Sequence, residues 1–174
     1  MKRTDLSSSE FKVDYGNYID MVDENHELVE ALRKGEDQIS DFFSKIDQNK
    51  LKTAYAEGKW TILEVLLHII DTERIFNYRA LCIARGDQTE FPGFEQDDYV
   101  APSMANERSL TSLLTEYSTV RKATISLFEN LREEDLKQLG RSSNSPLSPR
   151  AAGFIIAGHE RHHEKIIKER YLNS

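Results

Sequence analysis

Three histidines carry the chemistry this chain can offer. His159 and His163 stand four residues apart in a segment of helical apolar spacing. A helix turns ~100° per residue, so the two rings share a face only ~40° apart. Ala152, Ile155, Ile156, Ile166 and Ile167 lie within ~80° of that face, which points the pair toward a core. One histidine on an apolar face is ordinarily a hydrogen-bonded core residue. Two side by side leave several ring nitrogens wanting partners, and a divalent cation satisfies one nitrogen of each ring at once. His159-Glu160-Arg161-His162-His163 also matches the H-E-x-x-H pattern of metalloproteases, in which Glu160 is a general base beside the metal. That reading is short of a third ligand: no histidine follows His163, which leaves Glu169 and Glu164, the latter turned off its face, as conceivable carboxylate ligands. His162 sits at the flank, and Glu160, Arg161, Glu164, Lys165 and Lys168 are expected on the solvated side.

A better third ligand lies upstream. His68 shares a helical stripe with Thr61, Glu64, Asp71, Thr72, Ile75 and Arg79 in an otherwise strongly apolar segment. Polar groups on a buried element need partners and often line a cavity. Glu64 or Asp71 could hydrogen-bond the non-ligating nitrogen of a histidine. Glu64, Asp71 or Glu160 could move protons, and Arg79 could hold an anionic substrate. Three neutral imidazoles leave open positions on an ion, as in a catalytic rather than a closed structural site. His26, among Glu24, Asn25 and Glu27, reads as a surface residue of the first helix. Cys82 lies ~20 Å along its helix from His68 and reads as a small buried hydrophobe.

Four helical segments must position these residues. Apolar spacing places them at about 20–46, 61–85, 109–131 and 148–171. Gly35 weakens the middle of the first by ~1 kcal/mol relative to alanine, which permits a bend or short break. Gly86 closes the second, and Ser148 with Pro149 opens the fourth as N-cap and first helical residue. A long, acidic, aromatic-containing loop around Phe91-Pro92-Gly93-Phe94-Glu95-Gln96-Asp97-Asp98-Tyr99 joins the second and third. No strand pattern of useful length is visible. An all-α four-helix bundle is the expected fold, as a single domain with its core at about 20–172 and an N-terminal extension over 1–19.

Composition narrows the classes further. The 174 residues include 23 basic and 30 acidic side chains, a net charge of −7 that argues against nucleic-acid and anionic-membrane partners. One cysteine excludes a disulfide framework and cysteine-rich metal sites. The polar N-terminus lacks a signal-peptide h-region, and the longest apolar stretch is far shorter than the ~20 residues of a membrane span, so a cytoplasmic location is expected.

Two motifs carry a family resemblance. Lys59-Trp60-Thr61-Ile62-Leu63-Glu64-Val65-Leu66-Leu67-His68-Ile69-Ile70-Asp71 is similar to the Trp-led, histidine-bearing helix of the DinB/YfiT-like metal-binding four-helix bundles. Ile155-Ile156-Ala157-Gly158-His159-Glu160-Arg161-His162-His163 resembles their last-helix H-x-x-x-H segment. The resemblance implies a His68, His159, His163 triad holding one divalent ion, nickel or zinc foremost, in a bundle of up-down-down-up connectivity that is often a homodimer. It also implies a metal-dependent enzyme acting on a small molecule, either a hydrolase or an S-transferase with a low-molecular-weight thiol as cosubstrate. The alternative is a non-catalytic, stress-linked metal-binding or dimeric scaffold protein.

Overall fold

The structure, a computed structural model, describes residues 1–172. Four long helices dominate: α2 (Leu28–Ser44), α3 (Ile62–Ala84), α5 (Leu110–Glu129) and α7 (Pro149–Ile167). Short helices α1 (Gly16–Ile19), α4 (Gln96–Val100) and α6 (Glu133–Leu136) lie between them, and a π-helical turn, Lys168–Leu172, extends α7. Local chemistry sets the ends. Thr61 and Glu64 form a reciprocal capping box at the start of α3. The Ser109 and Ser148 hydroxyls cap α5 and α7 by accepting from Ser112 N and Ala151 N. Gly86 follows α3 with φ of 83°, a backbone that side chains disfavour.

The first long helix begins at Leu28, later than the spacing suggests, because residues 20–27 form turns; His26 therefore precedes it, beside Lys34. Gly35 does not break α2, which is continuous over Leu28–Ser44. A Cβ there would stand 2.0 Å from a Glu160 carboxylate oxygen and 2.8 Å from the Arg121 guanidinium, so glycine is what admits these groups. Three short strands also appear, β1 (Glu90–Phe91), β2 (Gly140–Ser142) and β3 (Ser145–Leu147). β1 pairs parallel to β2, and β2 pairs antiparallel to β3 across Ser143 and Asn144, both at positive φ as in a tight hairpin turn. Strands of two or three residues are too short to leave an alternating pattern.

Two apolar clusters mark the ends of the bundle. One joins the starts of α2 and α7 (Leu28, Leu32, Ala151, Phe154) to the ends of α3 and α5 (Phe76, Ile83, Ile125, Phe128). The other joins the starts of α3 and α5 (Ile62, Leu66, Leu113, Tyr117) to the far parts of α2 and α7 (Ile39, Phe43, Ile167). Thus α2 and α7 run one way, α3 and α5 the other. Because α3 and α5 run the same way, the link between them must return along the length of a 23-residue helix, roughly 35 Å. That requirement explains the long connection over 85–109 and brings it across the flank of α3.

Between the clusters sits a buried ionic group. Arg121 donates through Nε and Nη2 to Glu73 at 2.9 and 2.8 Å, and through Nη1 and Nη2 to Glu160 at 3.2 and 2.6 Å. Nη1 also donates to the Leu32 carbonyl at 3.0 Å, and the Tyr117 hydroxyl donates to Glu160 at 2.6 Å. All five guanidinium N–H groups are used, which is what a fully buried arginine requires. Burial alone would discharge Arg121, but Glu160 and Glu73 outweigh it and hold it charged. Glu160 is therefore buried rather than solvated: the apolar wheel of α7 cannot register a carboxylate neutralised from another helix.

Candidate metal centre

α3 and α7 pack closely, and their facing sides carry the histidines. The Nε2 atoms of His68 and His159 lie 3.1 Å apart, and those of His163 and His159 lie 3.0 Å apart. His68 and His159 are buried and His163 is half-buried. Ligand atoms of all three fall within 4.8 Å of one another, the group among the described residues suited to a metal ion. Nitrogens ~2.0–2.1 Å from one tetrahedral ion are ~3.3 Å apart, so the cluster is close to ligand spacing. The donor set fits an ion for a second reason. His159 Nε2 has either one lone pair or one proton, and cannot make two good hydrogen bonds to two neighbours.

Burial pushes all three rings toward the neutral form. His68 is pushed down to about 4 by burial, partly opposed by the Asp97 charge. His159 and His163 are held well below 6.5 by burial and then by neighbouring histidines. Neutral rings present the lone pairs that ligation needs. Thr72 Oγ1 faces His68 Nδ1 at 3.5 Å, the outer limit of a hydrogen bond, in the place expected for Glu64 or Asp71. The Trp60 ring lies 4.8 Å from the His68 ring, centroid to centroid, and walls it on one side. Tyr18 sits edge-on to His159 and His162, both at 5.2 Å. Its backbone reaches α7 because Gly158 has no side chain: a Cβ there would stand 1.9 Å from the Tyr18 carbonyl oxygen.

Two cavities open beside the triad. One, of about 330 Å³, includes Trp60, Asp97, His162, His163 and Arg170 in its lining. The other, of about 240 Å³, includes Tyr18, His68, Phe94, Asp97 and His159. Gln96 and Asp97, at the start of α4 on the long connection, line both. Helical spacing missed Asp97, Tyr18 and Trp60 as site residues because each reaches the triad from outside α3 and α7. The acidic loop is nevertheless visible in the sequence, and Trp60 leads the segment that carries His68.

The expected polar helpers are placed elsewhere. Glu64 caps its own helix, accepting from Thr61 N at 2.7 Å and Asn106 Nδ2 at 3.0 Å. Asp71 lines a different cavity with Tyr99, Arg108 and Glu116, where burial pushes its carboxyl up despite Arg74. Glu160 belongs to the Arg121 cluster. None of these three lines either cavity beside the histidines. Arg79 is buried, donates to the Pro92 carbonyl at 2.6 Å and lies 5.2 Å from the Phe76 ring and 5.9 Å from the Phe94 ring. It fastens the long connection over the second cavity. Cys82 is half-buried against the apolar core.

The profile of the DinB superfamily matches residues 31–167. The chain belongs to the DinB superfamily. Relatives agree with this in sequence and in shape. This DinB protein is 25% identical over 149 residues to "Putative metal-dependent hydrolase OB0413" of Oceanobacillus iheyensis, covering 84% of this chain and 85% of that one. Its fold matches YfiT from Bacillus subtilis, described as "a probable metal-dependent hydrolase with an unusual four-helix bundle topology", with TM-score 0.74 and 15% identity over 97% of this chain and 91% of that one. It also matches the DinB-like protein YjoA from Bacillus subtilis, with TM-score 0.59 and 18% identity over 85% and 91% of the two chains. Among the described residues, no helix is long and apolar enough to cross a membrane.

Proposed function

We propose that this DinB protein holds one divalent metal ion on His68, His159 and His163 and is a metal-dependent enzyme acting on a small molecule. The observation that carries the reading is the convergence of three neutral Nε2 atoms at 3.0 and 3.1 Å beside two cavities. An ion there supplies a Lewis acid and lowers the pKa of a water or thiol at its open positions. Imidazole ligands suit nickel and zinc alike. The name of the Oceanobacillus iheyensis relative favours hydrolysis. Transfer to a low-molecular-weight thiol is the second chemistry that the family resemblance supports. A cytoplasmic homodimer completes the reading.

The residues around the triad divide the work. Trp60 and Tyr18 wall the rings and exclude water from two sides. Asp97 lines both cavities, so we assign it the proton transfer expected of Glu64, Asp71 or Glu160, whose carboxylates are engaged elsewhere. Arg79 positions the connection that bears Asp97, rather than holding substrate.

Elemental analysis of protein purified without a histidine tag tests the metal, with close to one ion per chain expected. Metal-reconstituted protein is then assayed against ester and amide substrates, and against a thiol with an electrophile. Equal rates for His159→Ala and wild type would overturn the enzyme reading. A scaffold protein would instead melt higher with metal than with chelator and turn over none of the panel.

A further inference from the structure

The two cavities beside the triad carry opposite charge. The acidic side chains Glu95 and Asp97 line the smaller one, with aromatic rings and no lysine or arginine. Lys59 and Arg170 line the larger one, with Asp97 as its acid and His163 in its wall. Both basic groups are available. On the same stretch of chain, Lys165 and Lys168 are paired with Glu169 and Glu164. Arg170 donates instead to the neutral Tyr55 hydroxyl at 3.1 Å, its guanidinium 5.4 Å from the ring centre. Lys59 enters no ion pair among the described residues. On a chain of net charge −7, two cations against one carboxylate in the lining of a cavity beside the candidate metal centre favour an anion there.

Aromatic rings also line this cavity. Trp60, whose ring is tilted 53° to that of His68, forms one wall; Tyr55 and Tyr171, with rings 4.9 Å apart and edge-on, form another. The Tyr171 hydroxyl donates to the Trp60 carbonyl at 2.7 Å and ties these walls together. Arg170 and Tyr171 come from the π-helical turn that continues α7, a local rewinding frequent at functional sites. Arg170 is seven residues beyond His163, about two helical turns along the chain, so the basic group and the triad stand at different levels of the same helix.

Resting on the metal-enzyme reading above, we propose that this cavity is the substrate's anion subsite. Lys59 and Arg170 bind a carboxylate or phosphate, the Trp60 and Tyr171 rings line the path of an apolar, flat segment, and the reacting end reaches the triad. The substrate class is an anionic small molecule with an aromatic or similarly flat body. The acidic second cavity disfavours the reversed orientation.

Trp60 is the sole tryptophan of the chain and serves as the reporter. The probe is 3-phenylpropionate, with its neutral amide and 3-phenylpropylamine as controls. Binding is read by Trp60 fluorescence and by calorimetry, on zinc-loaded and zinc-stripped protein. The anion is expected to bind at least about tenfold more tightly than either control in both forms. Arg170→Gln and Lys59→Gln should each weaken it about tenfold without affecting the amide, as loss of a charge-assisted hydrogen bond predicts. Arg170→Lys should retain most of the affinity, with unchanged circular dichroism. Equal affinity for anion and amide, or wild-type affinity in both glutamine variants, overturns the proposal. So does a preference that vanishes without zinc, which places the carboxylate on the metal. A protein that binds no metal yet keeps the preference refutes the metal reading and leaves the subsite standing.

Discussion

Arg121 and Glu160 are hydrogen-bonded to each other in the fully buried centre of the bundle, one residue along α7 from His159. This ion pair joins α5 to α7, and through Glu73 it also holds α3, which bears His68. The same cluster that satisfies three buried charges therefore fixes the two helices whose spacing sets the triad.

Arg121→Met leaves Glu73 and Glu160 buried without their cation. A loss of about 3–5 kcal/mol is expected, measured by urea unfolding. Adding Glu73→Gln and Glu160→Gln should recover part of it, since no uncompensated charge then remains.

Replacement of single histidines separates ligand from flank. His68→Ala, His159→Ala or His163→Ala should each reduce bound metal to a small fraction of one ion per chain. His162→Ala should leave it close to one, because His162 packs beside Tyr18 and outside the convergent nitrogens. Elemental analysis after gel filtration reads both.

Two glycines are held by contact rather than by backbone conformation. On an exposed helix Gly→Ala stabilises by up to ~1 kcal/mol. Gly35→Ala and Gly158→Ala should instead destabilise by about 1–3 kcal/mol, because each new Cβ falls within 2.0 Å of an oxygen and forces the neighbour to move. For Gly158→Ala the displaced neighbour is Tyr18, so reduced metal affinity should accompany the lower melting temperature.

The N-terminal segment is fastened by Glu10. It accepts from the Ser148 hydroxyl at 2.7 Å and from Arg150 Nε at 2.7 Å. Burial alone would raise its pKa, but Arg150, Ser7 N–H and Ser148 outweigh that and hold it below 4.5. A lowered folded-state pKa contributes stability above the unfolded value and loses it as pH falls through the folded one. Glu10→Gln should therefore lower the urea midpoint at pH 7, and the gap from wild type should close under acid conditions below 4.5.

Much of the site is local information. The i, i+4 spacing of His159 and His163, the Thr61 and Ser148 caps and the apolar faces of the four long helices are written along single helices, where 3.6-residue periodicity decides which side chains share a face. The roles of Glu64, Asp71 and Glu160 are not, because a carboxylate's partner is chosen across helices. Asn106 reaches Glu64 from the long connection, and Arg121 reaches Glu160 from α5.

By itself, then, the sequence determined the fold class, the capped helices and the shared face of His159 and His163, since each follows from short-range spacing, while the approach of His68 to them at 3.1 Å is a contact between α3 and α7. Tertiary structure decided that Gly35 is a socket for an ion pair, that the extension over 1–19 brings Tyr15 and Tyr18 to a cavity wall, and that Asp97 overlooks the triad. Those are contacts between segments far apart in the chain, and only packing sets them. The parallel course of α3 and α5 is the common cause of the last: it forces the connection along the bundle, over the open side of the histidines.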